Sequence, residues 1–176
     1  PTFGRGTIWW FHKNASAMKR LAAQDFEDLL QCALPVFKGL LPAYHNNIIL
    51  NLLFDLATWH ALAKLCLHTD HSLGFLDAAT IYLSKSVCKF QRMTCQYYHT
   101  TELPQEHAAH GRRMAALAAQ QGHSISMSQS KPKCKTLNLL TYKYHALGDY
   151  PNTIRQYGTT DNYTTQGVSN MLYLIG

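Results

Sequence analysis

Apolar residues recur along this chain at three- and four-residue spacing, a period that predicts helices over most of its length. Met18, Leu21, Ala22, Phe26, Leu29, Leu30 and Ala33 make one stripe, with Asp25, Glu27 and Asp28 off it. This first helix should follow Asn14 or Ser16, either a suitable N-cap. Pro35 should end it, because the residue before proline disfavours helical angles. A second helix is predicted from about His45 to Leu67, with Ile48, Leu52, Leu56, Trp59 and Ala63 in one row and Asn51, Asp55 and Thr58 opposite. Its wide apolar face makes it the central element of the core. A third helix, capped by Asp70, runs through Leu73, Leu76, Thr80, Leu83, Val87 and Phe90 to about residue 92. It spans fewer than three heptads, which predicts packing within a domain rather than a free coiled coil. A fourth covers Pro104 to Gln121: proline suits the first turn, and the run from Met114 to Ala119 is Ala-rich. Its weak apolar face places it on the surface.

Between and beyond these helices the period fails. Pro1 to Lys13 reads as extended or irregular, with Ile8-Trp9-Trp10-Phe11 as a buried strand or an anchor on the first helix. Gly122 to Lys135 reads as a flexible basic loop of Gly, Ser, His, Gln, Pro and Lys. Two short helices should follow. Leu137, Leu140, Tyr144 and Leu147 give the first a face, and Pro151 opens the second while Gly158 closes it. The expected organisation is a helical region over 1–121, the loop over 122–135, a helical segment over 136–166 and a tail over 167–176. The fold class is mainly α, a helical bundle, and no internal repeat is present.

Composition sharpens this picture in three ways. The 176 residues, 47% of them hydrophobic, suit one domain or part of a larger one, and Pro1 in place of a start codon suggests a piece of a longer chain. Five cysteines and no secretory signal pattern imply reduced thiols in a nuclear or cytoplasmic setting. The most apolar region, Ile48 to Ala63, carries Asn51, Asp55, Thr58 and His60, and falls short of the roughly 20 apolar residues a bilayer span needs. No membrane partner is expected.

Charge adds a candidate surface. The net charge is +6, and no acid occurs between His107 and Gly148. Arg112, Arg113, Lys131, Lys133, Lys135 and Lys143 fall in that stretch; with Arg155 they are the candidate DNA contacts, either a phosphate-facing surface or a solvated basic loop.

Recognisable catalytic motifs are few. There is no P-loop, G-x-G-x-x-G, G-x-S-x-G or kinase signature. His60, Cys66, His68 and His71 are zinc-type ligands, and a zinc hydrolase could be built on them, but their spacing fits no paired zinc module. Cys88, Cys95 and His99 fit one less well. Asp70 and Asp77, seven apart, form at best a weak carboxylate pair. These residues are read as structural, and no metal or other cofactor is expected to bind this chain.

One segment is more specific. Lys143-Tyr144-His145-Ala146-Leu147-Gly148-Asp149-Tyr150 continues as Pro151-Asn152-Thr153-Ile154-Arg155-Gln156-Tyr157-Gly158-Thr159-Thr160-Asp161-Asn162-Tyr163. It resembles the pattern K-F-H-x-L-x-D-Y-x-x-x-I-R-x-F/Y-G-T-T-D-x-Y near the C-terminal end of fungal transposase-derived proteins of the Plavaka and Kyakuja–Dileera–Zisupton group, relatives of CACTA-type elements. The likeness extends upstream to Phe26-Glu27-Asp28-Leu29-Leu30-Gln31-Cys32, Pro35-Val36-Phe37, Leu40-Leu41-Pro42, Trp59-His60-Ala61-Leu62-Ala63-Lys64-Leu65, His68-Thr69-Asp70 and Thr101-Glu102-Leu103-Pro104.

The resemblance implies an origin in DNA strand transfer by an RNase H-like domain, in which three carboxylates hold two Mg²⁺ ions across the scissile phosphate. The helices from Asn14 to Gln121 would be a helical insertion, and His145 to Tyr163 the returning C-terminal edge of the catalytic core. His145, Asp149, Gly158 and Asp161 would be structural parts of the motif, with His145 and Arg155 packing or capping a helix pair and Tyr144 and Tyr157 in the core. After Gln166 the family continues with Gly-Glu and a Glu-His pair, whereas here Gly167-Val168-Ser169-Asn170-Met171 follows without an acid. That departure implies an aberrant exon end, a loosely attached tail and no catalysis by this chain alone. It leaves non-specific DNA contact as the expected role, with a helical protein–protein or self-association module as the alternative.

Overall fold

The helix periods hold where they were strongest. A computed structural model describes residues 23–120 and 131–160. The N-terminal run and caps, Asp161 and the 167–176 tail lie outside the described residues. The elements are α1 (Ala23–Phe37), α2 (Ala43–Ala63), α3 (Asp70–Phe90), a π-helical turn (Gln91–Cys95), α4 (Pro104–Gln120), α5 (Tyr142–His145), a 3₁₀ turn (Ala146–Asp149) and α6 (Tyr150–Tyr157). The protein is mainly α; among the described residues the only β pairing is an isolated antiparallel bridge between Thr101 and Cys134. No described helix is long and apolar enough to cross a membrane. The described residues divide into two units, 23–90 with 140–160, and 91–120 with 131–139, the latter called the 91–139 unit.

In the first unit the rows on α2 and α3 face each other. Trp59, Ala63, Leu73, Leu76, Ala79 and Leu83 are buried together with Ile154 of α6. Leu52, Leu56, Leu62, Val87, Leu147 and Tyr150 pack around them. The Trp59 Nε1–H donates to Thr80 Oγ1 at 2.9 Å, and that hydroxyl donates to the Leu76 carbonyl at 2.8 Å. The indole thus enters the core with its polar atom satisfied. Tyr150 meets its ring edge-on, centroids 5.0 Å apart. Asp55 of α2 accepts a hydrogen bond from Ser86 of α3.

The helix ends differ from expectation for local reasons. Pro35 lies inside α1, not beyond it. It removes a single backbone bond in the final turn, and the chain reverses only at Gly39, whose φ of 84° suits glycine. The Gly39 N–H donates to Asn46 Oδ1 at 2.8 Å, tying this turn to the start of α2. α1 is also rotated from its apolar stripe: Asp28 is fully buried, accepting from Gln24 Nε2 at 3.0 Å, and Phe26 is exposed. Glu27 faces α2, 2.7 Å from Lys64 Nζ and 3.8 Å from His60 Nε2.

α2 begins two residues early, at Ala43, and stops at Ala63 instead of Leu67. The Lys64 N–H still bonds the His60 carbonyl, but Leu65 N–H bonds Leu62, tightening the last turn. The chain is then captured by a reciprocal cap: Thr69 Oγ1 accepts from Ser72 N–H and Ser72 Oγ accepts from Thr69 N–H. Thr69, not Asp70, therefore caps α3. At its far end α3 gives way at Gln91 to the π turn.

The 143–160 motif folds as a clasp on this core. Pro151 lies in the first turn of α6, and Gly158, at φ 86°, ends it with its N–H on the Ile154 carbonyl. Arg155 donates to Asp77 Oδ2 of α3 at 2.8 Å and to Asn152 Oδ1 at 3.1 Å. Thr160 Oγ1 reaches the Ala63 carbonyl at 3.2 Å. The helix expected through Leu137 and Leu140 starts only at Tyr142, and Leu140 is exposed. Tyr144 and Tyr157, expected in the core, are exposed as well. Tyr150 and Ile154 occupy the place expected of them, because α6 presents the face carrying Pro151 and Ile154.

This packing sets the cost of three substitutions. Trp59→Ala should destabilise the chain by about 3–5 kcal/mol in urea unfolding. Thr80→Val should cost about 1–3 kcal/mol, since it strands the indole N–H. Gly158→Ala should cost about 1–3 kcal/mol, because alanine is strained at positive φ. Equal stability of wild type and Gly158→Ala would show that α6 is not held by this turn.

Candidate nucleic-acid interface

Basic residues concentrate in the 91–139 unit. It carries six Lys and Arg (Arg92, Arg112, Arg113, Lys131, Lys133, Lys135) against two acids, Glu102 and Glu106. These 49 residues therefore hold +4 of the chain's formal +6.

The local chain explains how these cations are presented. α4 starts at Pro104, and Glu106 Oε2 accepts from the Leu103 N–H at 3.2 Å, half of a capping box. Only Ala118 of α4 is buried, so Arg112 and Arg113 project from an exposed helix, as its weak apolar face predicts. They lie roughly 9 to 10.5 Å along the axis from Glu106 at 1.5 Å per residue.

The stretch expected to be a flexible loop is pinned where it is described. Around the Thr101–Cys134 bridge, Glu102 N–H donates to the Lys133 carbonyl at 2.9 Å and Lys135 N–H to the Thr100 carbonyl at 2.8 Å. Thr100 Oγ1 adds a bond to the Lys135 carbonyl at 2.9 Å. Side chains alternate along a paired extended stretch, so Lys133 and Lys135 share one side, roughly 6.6 Å apart, and Lys131 lies two residues before it. All three are exposed.

Glu102 organises this pairing. Its side chain, 7% exposed, accepts from the Lys133 N–H at 3.3 Å and lies 3.5 Å from His107 Nδ1 and 3.8 Å from Lys135 Nζ. The Lys133 hydrogen bond, aided by His107 and Lys135, holds its carboxyl below the ordinary glutamate range, against the opposing effect of desolvation. Lys135 also lies 3.9 Å from Glu106, so it is the one cation of the segment with acidic partners among the described residues.

The remaining candidates separate. Lys143 is exposed on α5, and Arg155 is exposed but committed to Asp77; both belong to the other unit. His145 and Asp149 are exposed there, and the Asp149 carbonyl accepts from Thr153 Oγ1 at 2.9 Å. The zinc-type residues are dispersed: His60 faces Glu27, His68 Nδ1 is 3.2 Å from Ser72 Oγ, and His71 packs edge-on against Phe75. Burial pushes the His60 pKa down, Glu27 pulls it up and Lys64 lowers it further. Among the described residues no three His, Cys, Asp or Glu side chains gather as a metal site.

Two features escaped the sequence reading. Glu102 is one of two acids in its unit and so the natural counter-ion, and Lys-Pro-Lys-Cys-Lys has the two-residue period of an extended segment.

Because the Glu102 pKa is depressed, its contribution is complete above the ordinary glutamate value of about 4.3 and is lost as pH falls through the lower folded value. An NMR titration should place the Glu102 midpoint below that value. Amide protection at Lys133 and Lys135 should fall together with it, and should fall at neutral pH in Glu102→Gln. A midpoint at or above the ordinary value would show that the Lys133 bond is not made.

No family model, curated protein or solved structure matches this chain.

Proposed function

We propose that this chain is a transposase-derived helical scaffold that contacts nucleic-acid backbones without sequence selectivity through its 91–139 unit. The observation that carries the reading is Lys133 and Lys135 on a backbone-paired segment, with Lys131 exposed just before it, in a unit where Arg112 and Arg113 are also exposed. Fixed cations of one sign suit a polyanion, and phosphate contacts position a protein without reading bases. The resemblance of the 143–163 segment to transposase-derived proteins supplies the polymer's identity, DNA. Within the fold residues 143–160 serve as a clasp, so the contact is assigned to the basic unit and not to the motif. No strand cleavage is proposed for this chain, since Gly167-Val168-Ser169 stands where the related proteins carry Gly-Glu. The nucleus or cytoplasm is the fitting compartment.

A specific feature favours a second reading, a protein-interaction module. α2 and α3 leave a groove of about 600 Å³ rimmed by Phe54, Phe75 and Tyr82, each more than half exposed. Sedimentation velocity across concentrations separates this reading: concentration-dependent dimers abolished by Phe75→Glu would support self-association.

For the first reading, duplex affinity should fall steeply with salt. Each neutralised phosphate contributes about −0.9 to the slope of log affinity against log salt. Replacing Arg112, Arg113, Lys131 and Lys133 by Gln should flatten that slope by up to about 3.6. An unchanged slope would place any binding elsewhere. Supercoiled plasmid with Mg²⁺ or Mn²⁺ should stay intact; metal-dependent nicking abolished by Asp161→Asn would overturn the non-catalytic reading.

A further inference from the structure

We propose that the 91–139 unit binds single-stranded nucleic acid, holding one unpaired base in a cleft at the end of its lysine row. This rests on the reading above and adds to it the strand state of the polymer. The cleft, about 360 Å³, lies between the π turn with the residues after it and the extended segment that carries the lysines. Tyr98 and His99 line it with aromatic rings, Gln91, Gln96 and Thr136 with hydrogen-bonding groups, and Lys135 with a cation. Flat rings beside amides and a positive charge are what an unpaired base and its phosphate require.

Three further observations agree on this occupant. Lys133 and Lys135 lie on one side of the paired segment, roughly 6.6 Å apart, at its cleft end. Lys135 belongs both to that row and to the cleft lining, so one polymer could engage the two at once. Second, the walls are fixed beforehand: Gln91 Nε2 donates to the Leu137 carbonyl at 2.8 Å, and the Thr100–Lys135 and Glu102–Lys133 bonds hold the opposite side. A preformed site loses less entropy on binding. Third, the Lys135 ion pairs are long, at 3.8 and 3.9 Å, and the Lys135 side chain is half exposed, so its ammonium can meet a phosphate while Glu102 keeps its bond to the Lys133 N–H. A duplex keeps its bases stacked inside and could use only the cations. An unpaired strand uses cations and cleft together. π turns also occur often at functional sites.

The test is fluorescence anisotropy on the full chain with three labelled probes of equal length: oligothymidylate, its abasic counterpart and a duplex. Oligothymidylate should bind about tenfold tighter than either of the others at the same salt. His99→Ala, at an exposed position, should weaken oligothymidylate binding about fivefold or more, the scale of one lost stacking contact. It should leave the duplex affinity and the salt slope unchanged. Tyr98→Leu should repeat the pattern, and Lys133→Gln should weaken all three probes. Equal affinity for oligothymidylate and the abasic strand would overturn the base cleft while leaving backbone contact standing. So would a His99→Ala loss shared by the duplex. Absence of binding to every probe would overturn both readings. Polyglutamate of matched charge binding as tightly as oligothymidylate would overturn both as well, and would point to an acidic protein partner.

Discussion

The indole of Trp59 is the pivot of the helical unit. It is the largest side chain in the buried cluster, and its N–H could not enter an apolar core unpaired. Thr80 accepts from that N–H and donates its own O–H to the Leu76 carbonyl, so α2 and α3 are locked in register by one satisfied polar chain. Tyr150 then closes over the ring edge. α6 reaches this position only because Pro151 starts it and Gly158 stops it within eight residues. Residues 143–160 are thus, in physical terms, the lid of a core whose centre lies some ninety residues earlier.

The 91–139 unit has no comparable core. Thr94 and Ala118 are its buried residues among those described, and its order comes from backbone pairing around a single bridge. That pairing brings basic residues together, which is unfavourable unless a carboxylate intervenes. Glu102 provides it. The same arrangement leaves Lys131 and Lys133 exposed, the latter on a backbone held by Glu102.

The sequence made the α2 and α3 rows legible, because long periodic runs leave little choice of face. It also located α4 and the α6 ends, where proline and glycine act through backbone geometry alone. The failures have separate physical origins. Pro35 was too near the end of its helix to stop it. Thr69 took the cap from Asp70 through a reciprocal bond with Ser72 that neither residue announces alone. Asp28 was assigned off the apolar stripe, yet tertiary packing turned it inward, beside a Gln24 one helical turn earlier. Of the candidate contacts, Arg112, Arg113 and the three loop lysines fall in one unit, whereas the partner of Arg155 lies 78 residues away and no local pattern could reveal it. The cleft was illegible for the same reason, since its two walls are far apart in sequence.

Glu102 and the lysines around it differ in how replaceable they are. Any one of several cations can be lost to mutation and the surface remains positive, because neighbouring charges do the same work. The anion has no deputy for its bond to the Lys133 backbone: Glu106 is engaged at the start of α4. Drift should therefore be tolerated among the lysines and arginines and resisted at this one carboxylate, so that the most constrained position on a basic surface is its acid.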